Sequence, residues 1–342
     1  MNTRTPRPSL HLPTTLQLPV FGYATISIME GKQPQPYLYP LPVARALHAA
    51  EQACAQGAGA SMGESDACHV AVLFLADSIV DYLSAVAVAA YMQSVYTERI
   101  QPDPVLNRSL RNLRRVLPGQ RLGWISRGLD ATSVLDGPVP GLHEWYNRRQ
   151  GGDVARAYQS LYRFMVEQLA YRGDYGPQDT ASPRLLLELV DQYLIKRSRV
   201  SASSGAGTQT QAPPTGALLA GLRSLLDSTP FFSEYQIYAP HQRRLLMGLE
   251  PTVPVPPIVS PADAEASILL YPPGEASDFT TRPDLQSERV PLFPLDPLLV
   301  YMHCPQCDHL QVAALQGVAQ GVPSYIGLDP QCGHSFGPVQ QV

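Results

Sequence analysis

The sequence predicts an α+β chain: an N-terminal helical bundle over 35–197, a linker over 198–215, and a small β-rich domain over 216–342. Three observations carry this. Apolar residues recur at helical spacing through the first two thirds. A stretch of Ser, Gly, Thr, Gln and Pro without apolar periodicity then follows. Beyond it come short β-like runs and two similar Cys-bearing hexapeptides near the C-terminus.

Residues 1–34 read as a tail and one strand. The strand is placed at 20–29, where Tyr23, Thr25 and Ser27 alternate with Ala24, Ile26 and Ile28. From Leu41 the period becomes helical, with Val43, Leu47, Ala50 and Cys54 on one face before a Gly-rich loop at 57–63. Ser65 and Asp66 offer a cap and first-turn negative charge for a long helix to about 98. Its apolar run over 70–92 carries Asp77 and Asp81, which are costly in lipid, so a buried core helix is expected. Asp103-Pro104 opens a helix whose stripe is Leu106, Leu110, Leu113 and Leu117, ended by Pro118-Gly119. Further helices are expected at 120–129, 142–150, 153–172 and 183–197, the last opened by Ser182-Pro183. After the linker a helix at 216–227 leads into β-like runs at 231–238, 267–271, 290–301, 310–315 and 323–328. Prolines such as Pro254, Pro272, Pro294 and Pro297 demote several of these to edge or broken strands.

The hexapeptides Cys304-Pro305-Gln306-Cys307-Asp308-His309 and Asp329-Pro330-Gln331-Cys332-Gly333-His334 agree at four of six positions and lie 25 residues apart. A Cys-Pro-x-Cys turn brings two thiolates onto one tight loop, and two such turns joined by a hairpin make a four-ligand zinc ribbon, here spanning 290–336. Cys304, Cys307 and Cys332 are three candidate ligands. His334 is preferred as the fourth, with Asp329, in the place of the missing cysteine, and His309 as alternatives. A closed structural Zn²⁺ is the expected cofactor. The competing expectation is a hairpin that keeps its packing and holds no metal.

Proline, at 34 residues, is about twice the usual ~5% share and argues for many turns. Only Lys32 and Lys196 are lysines, a skew towards arginine that fits a GC-rich bacterial genome. The net charge of −4 gives no global field towards nucleic acid or anionic membranes. Five cysteines, three of them in the knuckles, make no disulfide framework and suit a reducing cytoplasm. The N-terminal apolar run is broken by Pro13, Thr14, Thr15, Gln17 and Pro19, so no signal peptide is expected.

Seven arginines, including Arg108, Arg111, Arg114 and Arg115, fall between 99 and 127 against one carboxylate, Asp103. With Tyr96 and Trp124 nearby they form a candidate nucleic-acid surface. The plainer expectation is that their stems cover a core helix. Asp77 and Asp81 are expected to accept bonds from buried arginines or tyrosines, with acid–base or metal chemistry as the alternative. His48, His69 and His143 read as core or cap residues. No phosphate loop, nucleophile elbow or kinase signature is present.

The long apolar helix, its arginine-rich neighbour and a late helix ending at Tyr171-Arg172-Gly173-Asp174-Tyr175-Gly176 resemble the HEPN superfamily. In active members an Arg, matched here by Arg172, precedes an RNA-cleaving His by four to six residues. No histidine follows through Gln178, so that pair is incomplete. The whole arrangement resembles helical modules joined to a ribbon-bearing β domain in bacterial signalling and conflict systems. The resemblance implies a non-enzymatic regulatory or partner-binding protein of a signalling or defence system, with an effector or kinase as partner and no membrane association. The alternative it implies is a divergent or inactive RNase that binds nucleic acid through 99–127.

Overall fold

The computed structural model describes residues 39–57, 62–133, 139, 141–173, 176, 178–203, 213–239, 244–246, 253–254, 269–271, 293–332 and 334–336. The strand expected at 20–29 lies outside them. The described residues combine helices with antiparallel sheet, an α+β composition.

The helices are α1 (Leu41–Gly57), α2 (Met62–Tyr96), α3 (Pro104–Arg111), α4 (Pro118–Thr132), α5 (Leu142–Asn147), α6 (Gly152–Leu169), α7 (Pro183–Ser203), α8 (Thr215–Asp227) and the single turn α9 (Phe231–Glu234). α2 is apolar on nearly every side. Val72, Leu75, Ile79, Tyr82, Val86 and Tyr91 are all buried, so it runs through the bundle as a central post. Among the described residues this is the one helix long and apolar enough to cross a membrane, over 66–96, yet 78% of its most apolar window is buried inside the protein. Cys54 of α1 and Cys68 of α2 form a disulfide, a pairing the cysteine spacing did not suggest.

Several boundaries differ from expectation for local reasons. α2 starts at Met62, which places Ser65 and Asp66 inside the helix instead of at its cap. Asp103 caps α3 as expected, its carboxylate accepting from the N–H groups of Val105 and Leu106 at 2.7 and 3.0 Å. α3 stops at Arg111, however, so Leu113 and Leu117 leave the helical stripe. Pro118 is an opener instead of a breaker, because the first turn of α4 needs no N–H there. α6 ends at Leu169, with Ala170 left-handed at φ 47°. α7 continues to Ser203, six residues into the stretch read as linker.

α8 belongs to the bundle. Its apolar face (Leu218, Leu222, Leu225, Leu226) is buried, and Gly221 lies so close to Ala157 of α6 that a Cβ there would overlap it. His69 of α2 joins this junction, its Nε2 2.7 Å from the Tyr193 hydroxyl and its Nδ1 3.2 Å from Thr215 Oγ1.

The remaining elements form two antiparallel sheets. One orders five short strands as β3 (Val253–Pro254), β2 (Arg244–Leu246), β1 (Gln236–Ala239), β4 (Leu269–Tyr271) and β5 (Phe293–Pro294). The run expected as strand from 231 begins instead with α9. The C-terminal sheet is a meander of three principal strands, β6 (Leu299–His303), β7 (Leu310–Ala319) and β8 (Val322–Gly327), with the two-residue β9 (Ser335–Phe336) at its edge. Leu299, Val300, Val312, Ala314 and Leu315 join the same continuous apolar core as the helices.

β7 outruns β6, which pairs only with 310–314. A bulge between Leu315 and Gly317 then turns the strand, and the vacated edge is taken by the segment after α3. Val318 N–H donates to Leu113 O at 2.6 Å, and Val116 N–H to Gln316 O at 2.7 Å. Gly317 is required here, because a Cβ would strike the carbonyl oxygen of Arg114.

Candidate metal centre

The first knuckle sits on the β6–β7 hairpin. Cys304 N–H donates to His309 O at 2.9 Å, and Asp308 N–H to Cys304 O at 2.8 Å, with Asp308 left-handed at φ 53°. This tight turn aims Cys304 and Cys307 the same way. The second knuckle follows β8: Cys332 N–H donates to Asp329 O at 2.9 Å, and Gly327 N–H to His334 O at 3.1 Å.

The hairpin brings the two turns together, and the ligand atoms of Cys304, Cys307, Cys332 and His334 all lie within 4.8 Å of one another. The Cys307 and Cys332 sulfurs are 3.6 Å apart, and His334 Nδ1 is 3.4 Å from the sulfurs of both Cys304 and Cys332. A tetrahedral ion about 2.3 Å from each sulfur sets sulfurs about 3.8 Å apart and sulfur–nitrogen pairs about 3.5 Å apart. The four groups lie close enough together to bind one metal ion.

The electrostatics of Cys304 and Cys332 differ. Burial opposes ionisation of Cys304, but the N–H groups of Gln306 and Cys307, with Cys332 and His334 alongside, outweigh it and bring the thiol down to about 7. Burial pushes the Cys332 thiol up to about 12. Three adjacent thiolates are costly by themselves, and a divalent cation reverses that cost.

Asp329 and His309, the other ligand candidates, are engaged elsewhere. Asp329 is buried, and its Oδ2 meets Arg45 of α1 and, at 2.6 Å, His309 Nε2. Its Oδ1 accepts from Gln331 N–H at 2.9 Å. Arg45 also touches His309 at 3.0 Å. Gln311, buried beneath the site, donates to Cys332 Sγ at 2.7 Å and accepts from Asp329 N–H at 3.2 Å. Arg45 and Gln311 carry no sequence signal as parts of a metal centre. A residue in a distant helix and one in mid-strand become neighbours of the site only through the fold.

The other singled-out residues lie elsewhere. Asp81 pairs with Arg121 at 2.6 Å, and the same guanidinium donates to Leu315 O at 3.0 Å, tying α2, α4 and β7 together. Burial, then the neighbouring Asp81 charge, pushes Asp77 up to about 7, and burial pushes Asp81 up to about 6. His48 contacts Gln52, and His143 pairs with Asp130 at 3.0 Å. Arg172 is exposed just past α6. Arg108, Arg111, Arg114 and Arg115 are exposed. A separate cleft of about 730 Å³ is lined by Trp145, Arg148, Arg149, Phe231 and Tyr235, among others.

No protein-family model matches the chain, and no curated protein and no solved structure matches it either.

Proposed function

We propose that Cys304, Cys307, Cys332 and His334 hold one Zn²⁺ in a closed structural site. In this reading the protein is a non-enzymatic, partner-binding module in which a zinc ribbon secures the C-terminal sheet to a HEPN-like bundle. The observation that carries the metal is the clustering of three sulfurs and one imidazole nitrogen within 4.8 Å of one another, with the Cys307–Cys332 pair at 3.6 Å and His334 Nδ1 at 3.4 Å from both Cys304 and Cys332. Three thiolates with one imidazole suit borderline-soft zinc better than oxygen-seeking ions. Four protein ligands fill a tetrahedron, which makes the ion's role structural instead of catalytic. Arg45 of α1 and His309 of the first knuckle brace Asp329 of the second, as supporting residues around structural metals do.

Metal analysis of protein purified without added metal tests this directly. One equivalent of zinc is expected, lost in Cys304→Ser and reduced in His334→Ala. A wild-type content far below one equivalent leaves a metal-free hairpin. Iron with visible charge-transfer absorption replaces zinc by another thiolate-bound centre.

The regulatory role rests on the resemblance of 35–197 to HEPN modules of bacterial signalling and defence systems. Co-expression with the products of the flanking genes tests it. A stoichiometric complex surviving gel filtration supports a partner-binding role, and failure of every neighbour to bind removes it.

A further inference from the structure

We propose that Arg108, Arg111, Arg114 and Arg115 form a preorganised surface for the phosphodiester backbone of a single nucleic-acid strand. This inference is independent of the metal assignment. Between Pro104 and Leu129 the chain carries six arginines and no carboxylate. The structure divides these six by use. Arg121 is spent on buried Asp81, and Arg127 pairs with Asp103 at 3.3 Å. Arg108, Arg111, Arg114 and Arg115 are exposed, and among the described residues none of them has an ion pair or hydrogen bond.

Their backbone is nonetheless fixed. Asp103 caps α3, the buried Leu106 anchors its inner face, and Arg108 and Arg111 stand one turn apart on it. Arg114 and Arg115 lie on the segment held to the β7 bulge by its two backbone hydrogen bonds. Four guanidinium groups are thus displayed on a rigid support, so less ordering entropy is lost on binding. The Tyr91 hydroxyl ties the end of α2 to α3, accepting from Asp103 N–H at 2.8 Å and donating to Asn107 Oδ1 at 2.9 Å. Tyr96 projects from that same end of α2 with 89% exposure, available to stack on a base.

Arginine's planar fork matches phosphate oxygens in pairs, and the exposed Tyr96 ring offers a stacking surface for a base, which an acidic peptide does not supply. A membrane surface is disfavoured because α3 is only eight residues long and, with Leu106 in the core, Val105 is its one exposed large apolar side chain, too little for an interfacial helix.

Fluorescence anisotropy of a labelled 12-nucleotide single strand, as RNA and as DNA, tests the proposal on the full chain. Four phosphate contacts imply a loss of affinity of about 50-fold between 50 and 200 mM salt. Arg111→Ala/Arg114→Ala/Arg115→Ala should flatten the log–log salt slope by about 2. The matching triple Lys variant should keep most of the slope, because its charge is retained. Tyr96→Ala should weaken binding with the slope unchanged. Either sugar type supports recognition of phosphodiester, and a preference for RNA adds a 2′-hydroxyl contact. Absence of binding at 50 mM salt overturns the proposal. So does an unchanged slope in the triple Ala variant with a native melting curve, and so does equal competition by polyglutamate or by anionic vesicles.

Discussion

Asp329 occupies the position of the leading cysteine in the second knuckle, and its environment explains why a carboxylate serves there. It receives Arg45, His309 and the Gln331 N–H, so it links helix α1 to the two knuckles. Asp329→Ala should therefore keep one equivalent of metal while losing about 2 kcal/mol of stability in urea melts, since it removes the buried carboxylate that balances the Arg45 charge. Loss of the metal in this variant would make Asp329 a ligand after all. Asp77 sets a second expectation. Its folded-state value near 7 lies above the ordinary 3.8, so the fold favours the protonated acid. That stabilisation is complete below pH 4 and is lost as pH rises towards 7. His69 works oppositely, because burial holds it down to about 4 and its contribution is lost as pH falls below 6.5. Asp77→Asn isolates the carboxylate. Between pH 5 and 8 the variant should escape about 1–2 kcal/mol of destabilisation that the wild type suffers. Parallel profiles for the two proteins would refute this. At this scale the three cysteines and His334 were legible because their spacing is local. Arg45 and Gln311 were not, because the chain brings them to the site from far away in sequence.

Among the elements, helices with local caps were read well and their ends less so. Asp103-Pro104 and Ser182-Pro183 do open α3 and α7. The stripe Leu106–Leu110–Leu113–Leu117 promised a longer α3, but the β7 edge offers hydrogen bonds that extended backbone at Leu113 and Val116 can accept and donate. A pairing across some two hundred positions leaves no mark on helical periodicity. α8 was assigned to the β-rich part from its place after the Gly/Ser stretch, yet its leucines complete the bundle. Gly221 makes that contact testable. Ordinarily Gly→Ala inside a helix gains about 1 kcal/mol, but here the added Cβ meets Ala157. Overpacking should win, and Gly221→Val should cost about 2–3 kcal/mol by chemical denaturation. A neutral or stabilising outcome would mean that α6 and α8 separate readily.

At the scale of the molecule, one apolar core joins bundle and sheet among the described residues, and the knuckle hairpin packs on that shared core. Structural zinc contributes on the order of 10 kcal/mol in isolated finger peptides. A strong chelator should therefore lower the single melting transition of the entire chain, followed by circular dichroism at helical wavelengths. A helical transition that stays in place while the sheet is lost would show the two parts to be energetically separate. The bulge of β7 has a further consequence, for the order in which the chain is made. Arg121 and the carbonyl of Leu315 stand 194 residues apart. At about 5–20 residues per second a ribosome needs about 10–40 s to cover that interval. Throughout it, the strand edge at Leu113 and Val116 and the guanidinium beside Asp81 wait for a partner not yet synthesised. The C-terminal sheet thus closes a seam left open since α3 and α4 were made.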